Sequence, residues 1–329
     1  MKKSALIIRV LCTVLALAAL CAVFCAAFSG CSSEIKKDVK PSVVVTVFPL
    51  YDWVKQIAGD RADVTLLLDS GVDLHSYQPS ADDIIKISTS DLFIFVGGES
   101  DFWVEDIISG ARNPQFTPID LIESLGERAK EEEIKEGMQA ESEEAEKDEG
   151  PEYDEHIWLS LKNASVLCGV IADGLCKIDP DGAGTFRENA DAYLSKLGEL
   201  DREFEETVEK AKYKTVVFGD RFPFRYLVDD YGLDYFAAYT GCSAESEASF
   251  ETVTFLASKV DELGLPAILQ IETADGQLAE TVRSATEKKD QKILTLDSLQ
   301  SSVKEDVDNG KSYLDTMKKN LEVLKEAIG

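Results

Sequence analysis

The clearest structural signal in this chain is the stretch Val43-Val44-Val45-Thr46-Val47-Phe48, an almost unbroken apolar run in which β-branched residues dominate. Such a run is typical of a strand that is buried on both faces of a parallel sheet. The pattern then alternates up to about residue 120, in predicted strands at 64–68 and 92–96 and predicted helices at 50–59, 80–87 and 101–109. Strands separated by helices predict βαβ units.

A second series of βα units follows two helical segments at 161–177 and 182–211. Its predicted strands are 215–218, 235–239, 267–271 and 293–296, and its predicted helices are 222–230, 249–263, 277–287 and 312–328. We therefore predict an α/β fold of two (βα)4-type lobes with parallel sheets, joined by one long rigid helix. Ligands bind beyond the carboxyl ends of parallel strands and in clefts between lobes, so we expect a site in the interlobe cleft.

The predicted domains follow from these patterns. They are an N-terminal lobe at 43–160, a helical connector at 161–211 that includes the linking helix, and a C-terminal lobe at 212–329. Within the first lobe, residues 127–155 are mostly acidic and offer little to bury. We expect this segment to be a mobile, solvated insertion, with loose capture of metal as a further possible role.

The N-terminus has the features of an export signal. Lys2, Lys3 and Arg9 precede an apolar stretch at 10–28, which ends in Phe28-Ser29-Gly30-Cys31. An uncleaved membrane anchor is the alternative, but the ending resembles the bacterial lipoprotein signal, in which the cysteine is lipidated. We therefore predict a signal peptide at 1–31, a lipidated Cys31, a polar tether at 32–42, and a position on the outer face of the cytoplasmic membrane or in the periplasm.

The net charge of the chain limits the kinds of molecule that it can bind. The formal net charge of −28 argues against nucleic acid as a partner, because phosphate backbones require a basic surface. We expect no nucleic-acid partner and a monomer. An acidic exported protein is suited to cations.

Two histidines are all that the chain contains. His75 lies in Asp73-Leu74-His75-Ser76-Tyr77 after a predicted strand, and His156 lies in Asp154-Glu155-His156-Ile157-Trp158. Imidazole is the commonest side-chain ligand of transition metals, and both rings are flanked by carboxylates. A lone histidine is more often structural, so each motif alone is a modest signal. Asp297 follows the last predicted strand of the second lobe, at the edge where a shared site is expected.

Five motifs occur in order along the chain: Val47-Phe48-Pro49-Leu50-Tyr51, Leu74-His75-Ser76-Tyr77-Gln78-Pro79-Ser80, Asp154-Glu155-His156-Ile157-Trp158-Leu159-Ser160, Asp229-Asp230-Tyr231-Gly232-Leu233 and Leu296-Asp297-Ser298-Leu299. In this order they resemble the substrate-binding lipoproteins of zinc and manganese ABC importers. The resemblance implies two lobes, one metal ion between them, and ligands at His75, His156 and Asp297. It also implies a membrane permease and a cytoplasmic ATPase as partners.

The family's third ligand, histidine or glutamate, aligns with Gly219 in Val217-Phe218-Gly219-Asp220-Arg221, and glycine has no side chain to offer. Some other group must then complete the site. The candidates, in order of preference, are Glu245 and Glu247, then Cys242 and Asp220. Each of these carboxylates could instead be a surface group or a helix cap.

Donor chemistry favours zinc. Two imidazoles and a carboxylate suit a divalent transition metal better than calcium or magnesium, which prefer oxygen ligands alone. Manganese, or iron as Fe2+, is the alternative in the same transport role. A neutral ring is needed for binding, so affinity is expected to fall below about pH 6.

Two other functional classes compete with transport. A zinc hydrolase shares the pattern of three ligands and an open position, but no His-Glu-x-x-His motif and no motif-fixed general base occur. A cell-adhesion protein that uses metal only structurally is the second. We therefore expect a binding protein and not an enzyme.

Overall fold

The computed structural model describes residues 40–139, 152–241 and 248–329. It contains two four-stranded parallel sheets, as predicted, and the strand order is the same in both: second, first, third, fourth. The order reverses direction beside the first strand of each sheet. The carboxyl ends at these two positions are where a parallel sheet offers a ligand site.

The first lobe alternates strands and helices without exception. Its elements are β1 (Ser42–Val45), α1 (Phe48–Ala58), β2 (Asp63–Leu66), α2 (Ala81–Thr89), β3 (Leu92–Phe95), α3 (Val104–Ser109), β4 (Thr117–Asp120) and α4 (Leu121–Leu125). Pro49 in the first turn of α1 explains why the strand ends early, since proline cannot donate to a ladder but suits a helix start. Strand β4 was not predicted, because it is short, half-exposed and carries Pro118, which is tolerated at a sheet edge.

The second lobe repeats the pattern. Its elements are β5 (Thr215–Phe222), α7 (Arg225–Tyr231), β6 (Asp234–Thr240), α8 (Phe250–Leu263), β7 (Ala267–Ile271), α9 (Gln277–Ala285), β8 (Lys292–Leu296), α10 (Lys304–Asp308) and α11 (Tyr313–Ile328). Strand β5 runs four residues beyond its predicted end at Phe218, with a register irregularity between Phe218 and Arg221. A bulge of this kind re-aims the side chains that follow it.

Two helices connect the lobes: α5 (Leu161–Ile178) and the 28-residue α6 (Ala183–Lys210). One stripe of α6 is buried, at helical spacing, by Phe186, Ala190, Tyr193, Leu197, Leu200, Phe204 and Val208. The helix packs on α1 of the first lobe and on α11 of the second. One core cluster contains residues of both sheets and both connecting helices, so the lobes are packed together through a shared apolar interior.

The two described ends of the acidic segment 127–155 differ from the expectation of a mobile, solvated insertion. Glu133 pairs with Arg225 and accepts from the Tyr235 hydroxyl, and the Gln139 amide donates to the Ala238 carbonyl on β6. The hydroxyl of Tyr226 joins both ends, since it accepts from the Lys130 amide and donates to the Asp154 carbonyl. The ends are therefore held to the second lobe by charges and backbone groups that composition alone does not reveal.

Several predicted features lie outside the described residues: the signal peptide, Cys31, most of the tether, and residues 140–151 of the acidic segment. Within the described ranges, no helix is both long enough and apolar enough to cross a bilayer.

Candidate metal centre

His75 lies in a single 3₁₀ turn, Leu74–Ser76, beyond the carboxyl end of β2. Asp73 caps this turn, because its carboxylate accepts the backbone amide of His75 at 3.2 Å. The ring Nδ1 lies 2.8 Å from the Ser100 hydroxyl and 3.3 Å from Oε2 of Glu155. These contacts orient the ring, and its Nε2 faces the ring of His156.

His156 is fully buried at the start of the 3₁₀ turn Ile157–Leu159, which leads into α5. One oxygen of Asp154 accepts the backbone amide of His156 at 2.9 Å and lies 3.0 Å from its Nδ1. Burial alone disfavours the charged ring, but Asp154, Gln300 and Glu155 outweigh it and raise the pKa of His156 above its ordinary value.

The two rings meet, with His75 Nε2 and His156 Nε2 3.4 Å apart. The side-chain oxygen of Gln300, from the second lobe, lies 3.0 Å from His156 Nε2. Three atoms with lone pairs thus converge, and a proton or a metal cation is needed to stabilise them. Tetrahedral zinc with bonds of about 2.0–2.1 Å separates its ligand atoms by about 3.3 Å, close to the spacing seen here.

A rigid turn after β8 presents Gln300. Glu272 accepts the backbone amide and the hydroxyl of Ser298 at 2.7 and 2.8 Å, and the hydroxyl of Ser301 at 2.8 Å. The Trp158 indole donates to the Ser298 carbonyl at 2.8 Å. Leu299 has φ of 64°, in the left-handed region that costs a branched side chain energy, so the turn is held against strain.

Asp297, the ligand predicted from the last strand, is used within its own lobe. One oxygen accepts the Leu299 amide at 2.8 Å, and the other pairs with Lys311 at 3.1 Å. Across the described ranges, no three His, Cys, Asp or Glu side chains come together in a group that could hold a metal ion. Asp297 therefore does not join the two histidines in this arrangement.

Asp220 is also committed to backbone groups. Its two oxygens accept the amides of Arg221 and Ile271 at 2.8 and 3.0 Å, which ties β5 to β7. Burial raises the pKa of this carboxyl despite those two donors. Arg221 reaches across the cleft to Asp73 at 3.0 Å. Burial opposes ionisation of Asp73, but the nearby His75 and Arg221 together outweigh it and lower the pKa of Asp73 below its usual value.

The sequence matches the family described as zinc-uptake complex component A, periplasmic (ZnuA), over residues 43–327. The chain belongs to the ZnuA family. The resemblance predicted from the five motifs is thereby confirmed.

Individual relatives agree with this placement. The chain is 34% identical over 293 residues to zinc-binding lipoprotein AdcA of Streptococcus pneumoniae, covering 87% of this chain and 56% of that protein, so it spans about half the length of that curated relative. It is 30% identical to the high-affinity zinc uptake system protein ZnuA of Bacillus subtilis, with 88% of each chain covered.

Solved structures share the two-lobed fold. The Zn(II)-bound ZnuA-like domain of pneumococcal AdcA has a TM-score of 0.69 at 31% identity, covering 88% of this chain and 99% of that domain. The metal-dependent lipoprotein YcdH of Bacillus subtilis has a TM-score of 0.70 at 28% identity, with 88% and 99% covered.

The sequence resemblance predicts that a third ligand would align with Gly219, and the structure explains why a side chain does not fit at this position. A Cβ at this position would lie 2.6 Å from the Cα of Ala279 and 3.1 Å from its Cβ. Helix α9 therefore packs directly on the strand at Gly219. The glycine is a packing residue here, and a larger side chain would have to displace a helix backbone.

The remaining ligand candidates of this ZnuA-family chain, Cys242, Glu245 and Glu247, lie outside the described residues. The residue before them is within the site. A Cβ on Gly241 would lie 3.0 Å from Cε1 and 3.1 Å from Nδ1 of the His156 ring. The chain therefore enters the segment 242–247 from a point beside the His156 ring.

Sequence reasoning missed Gln300, Ser100, and the orienting roles of Asp154 and Glu155. The consecutive carboxylates before His156 were visible and carry such a signal, since metal-binding histidines usually give their second nitrogen to a carboxylate. The only sequence signal for Gln300 was its position three residues after Asp297. Glutamine is also an uncommon ligand for a transition metal, so its residue type gives no signal.

Proposed function

We propose that the chain is an extracytoplasmic solute-binding lipoprotein that captures Zn2+ and delivers it to an ABC importer. The observation that carries the proposal is the pair of imidazole Nε2 atoms 3.4 Å apart, with the second nitrogen of each ring placed against a carboxylate. Neutral nitrogen donors at tetrahedral spacing suit zinc better than manganese, which tolerates more oxygen and higher coordination. Relatives named for zinc binding and zinc uptake support the same metal.

The proposed ligands are His75 and His156, with the Gln300 carbonyl as a donor from the second lobe. A further ligand is proposed from the segment 242–247, because Gly241 leads into it beside the His156 ring. Glu245 and Glu247 stay preferred to Cys242, as in the sequence prediction. Asp297 stays a predicted ligand from sequence, and to bind the metal it would have to leave Lys311. Asp220 would have to give up two backbone amides.

The proposed cycle involves binding and release without a chemical reaction. The lobes hold the ion, and a membrane permease with a cytoplasmic ATPase then accepts it. Anchoring through a lipidated Cys31 to the outer face of the cytoplasmic membrane, and a monomeric state, belong to the same proposal. The support is the Ser29-Gly30-Cys31 sequence and a relative that is named a lipoprotein.

The test combines metal affinity with growth. The full chain, purified in detergent, is titrated with Zn2+ and with Mn2+ against a chromophoric chelator, and the gene is deleted in its host. We expect tighter binding of Zn2+ and a growth defect in zinc-poor medium that a plasmid copy repairs.

Each competing function gives a different result. Tighter binding of Mn2+, with a defect confined to manganese-poor medium, replaces zinc by manganese. Unfolding on metal removal without a growth defect favours the structural, adhesin-like role. Turnover of peptide or ester substrates that chelator abolishes favours the hydrolase.

A further inference from the structure

Glu155 is a buried carboxylate beside the site, and its two oxygens differ in their hydrogen-bond partners. The residue is 2% exposed. Its Oε1 accepts the backbone amide of Ser100 at 2.7 Å. Its Oε2 makes no other hydrogen bond and lies 3.3 Å from Nδ1 of His75. A buried carboxylate oxygen without a donor is costly, so a donor on His75 Nδ1 is strongly favoured.

The chain makes room for this carboxylate at one place in the backbone. A Cβ on Gly98 would lie 2.5 Å from Oε1 and 2.8 Å from Cγ of Glu155, and Gly98 has φ of +85°. Only glycine adopts that conformation freely and leaves that space. The position of Glu155 is thus built into the turn that follows β3.

The neighbouring residue does the same for the other ring. Asp154 lies 3.0 Å from Nδ1 of His156, so two consecutive carboxylates face the Nδ1 atoms of two histidines that are far apart in sequence. In both rings the Nε2 atom is left facing the other ring. Carboxylate–histidine pairs of this kind set the tautomer and raise the basicity of the ligand nitrogen.

We propose that Glu155 is a positioning residue that holds His75 as the Nδ1–H tautomer and so keeps the Nε2 lone pair available for the metal. This inference rests on the proposed function for its metal, but the tautomer itself is a property of the metal-free protein. Ser100 assists, because its hydroxyl lies 2.8 Å from the same Nδ1 and its amide holds the other oxygen of Glu155.

Glu155→Gln is the sharpest variant, because it keeps the shape and reverses one hydrogen bond. If the amide oxygen stays on the Ser100 amide, the NH2 group faces His75 Nδ1, which must then accept. The proton moves to Nε2, the nitrogen that should bind metal. If the amide turns over, its NH2 meets the Ser100 N–H, and two donors oppose each other.

The experiment is imidazole ¹⁵N NMR on the full chain in detergent, labelled at histidine, metal-free and at pH 8. Since the protein has two histidines, the spectrum contains two ring systems, which a His156→Gln variant assigns. We expect His75 to be protonated on Nδ1 in the wild type and shifted toward Nε2 in Glu155→Gln. Zinc affinity of that variant should fall by about 10- to 100-fold.

Glu105→Gln is the matched control, since it removes the same charge from an exposed position in the same lobe. It should leave both the tautomer and the zinc affinity unchanged. A wild-type His75 protonated on Nε2 overturns the proposal without any variant, as does a Glu155→Gln protein with wild-type tautomer and affinity. Absence of zinc binding by the wild type would instead overturn the proposed function, while the tautomer result still stands by itself.

Discussion

The two lobes bring polar side chains to the same cleft, but in different states. In the first lobe, the two histidines direct Nε2 toward each other, and the carboxylates of Asp154 and Glu155 lie behind the rings. In the second lobe, Asp220 and Asp297 spend their oxygens on backbone amides and on Lys311. The position of a carboxylate at the carboxyl end of a strand therefore does not identify it as a ligand, because backbone amides and lysines can already occupy its oxygens.

The difference gives a rule for reading the site. A side chain is ready to bind a cation when one of its atoms is held by a hydrogen bond and its ligand atom receives no hydrogen bond. A group whose lone pairs already receive N–H donors must lose those bonds before it can bind one, and each bond to a charged acceptor contributes about 1.5–3 kcal/mol.

The largest expected effect is a loss of zinc affinity on substitution of either histidine, which should far exceed the loss on substitution of Asp297. Substitution of His75 or His156 by alanine should lower zinc affinity by about 100-fold or more, because a structural-strength zinc site distributes roughly 10–16 kcal/mol over a few ligands. Asp297→Asn keeps the turn geometry and should cost much less. Competition with a chromophoric chelator measures all three, and a loss for Asp297→Asn as large as for the histidines would make Asp297 a ligand after all.

A smaller effect, on stability, is expected at Gly219, the position in the second lobe where the resemblance predicts a third ligand. Gly219→Ala places a methyl group 2.6 Å from the Ala279 backbone, and overpacking of this kind typically costs about 1–3 kcal/mol. Urea unfolding of the metal-free protein measures it.

Gly184→Ala is the control, since a Cβ there meets nothing within 4 Å inside helix α6. It should be neutral or stabilise the protein by up to about 1 kcal/mol. If Gly219→Ala is equally harmless, the close approach of α9 to β5 is not what excludes a side chain at position 219.

The fold was largely predictable from sequence because buried parallel strands and amphipathic helices repeat along both lobes. The unpredicted strand β4 carries Pro118 at a sheet edge, where the apolar pattern fades. The histidine pair was predictable, since the chain offers no other imidazole. The commitments of Asp220 and Asp297 were not, because they depend on the amide of Ile271 and on Lys311, which are distant or unmarked in sequence.

The smallest effect concerns Asp101, a buried carboxyl of the first lobe with one oxygen that has no hydrogen-bond partner. It is 4% exposed, its Oδ2 accepts the Gly97 amide at 3.0 Å, and its Oδ1 has no hydrogen-bond partner. Burial raises the pKa of Asp101 to about 7. Because the folded pKa lies above the unfolded one, the protonated carboxyl contributes stability that is complete below about pH 4 and is lost as the pH rises through 7.

Asp101→Asn should therefore match the wild type near pH 4 and exceed it at pH 8. The expected gain is on the order of 1–2 kcal/mol, below the roughly 4 kcal/mol that such a pKa shift allows, because a buried NH2 group replaces the unpartnered oxygen. Asp220→Asn is the matched variant from the other lobe. Both Asp220 oxygens accept backbone amides, so an asparagine there must oppose one donor with another and should destabilise the protein at both pH values. Urea unfolding of the chelator-treated protein at the two pH values measures these changes. If the two variants changed stability equally, the number of hydrogen bonds that each carboxyl accepts would not explain the difference between Asp101 and Asp220.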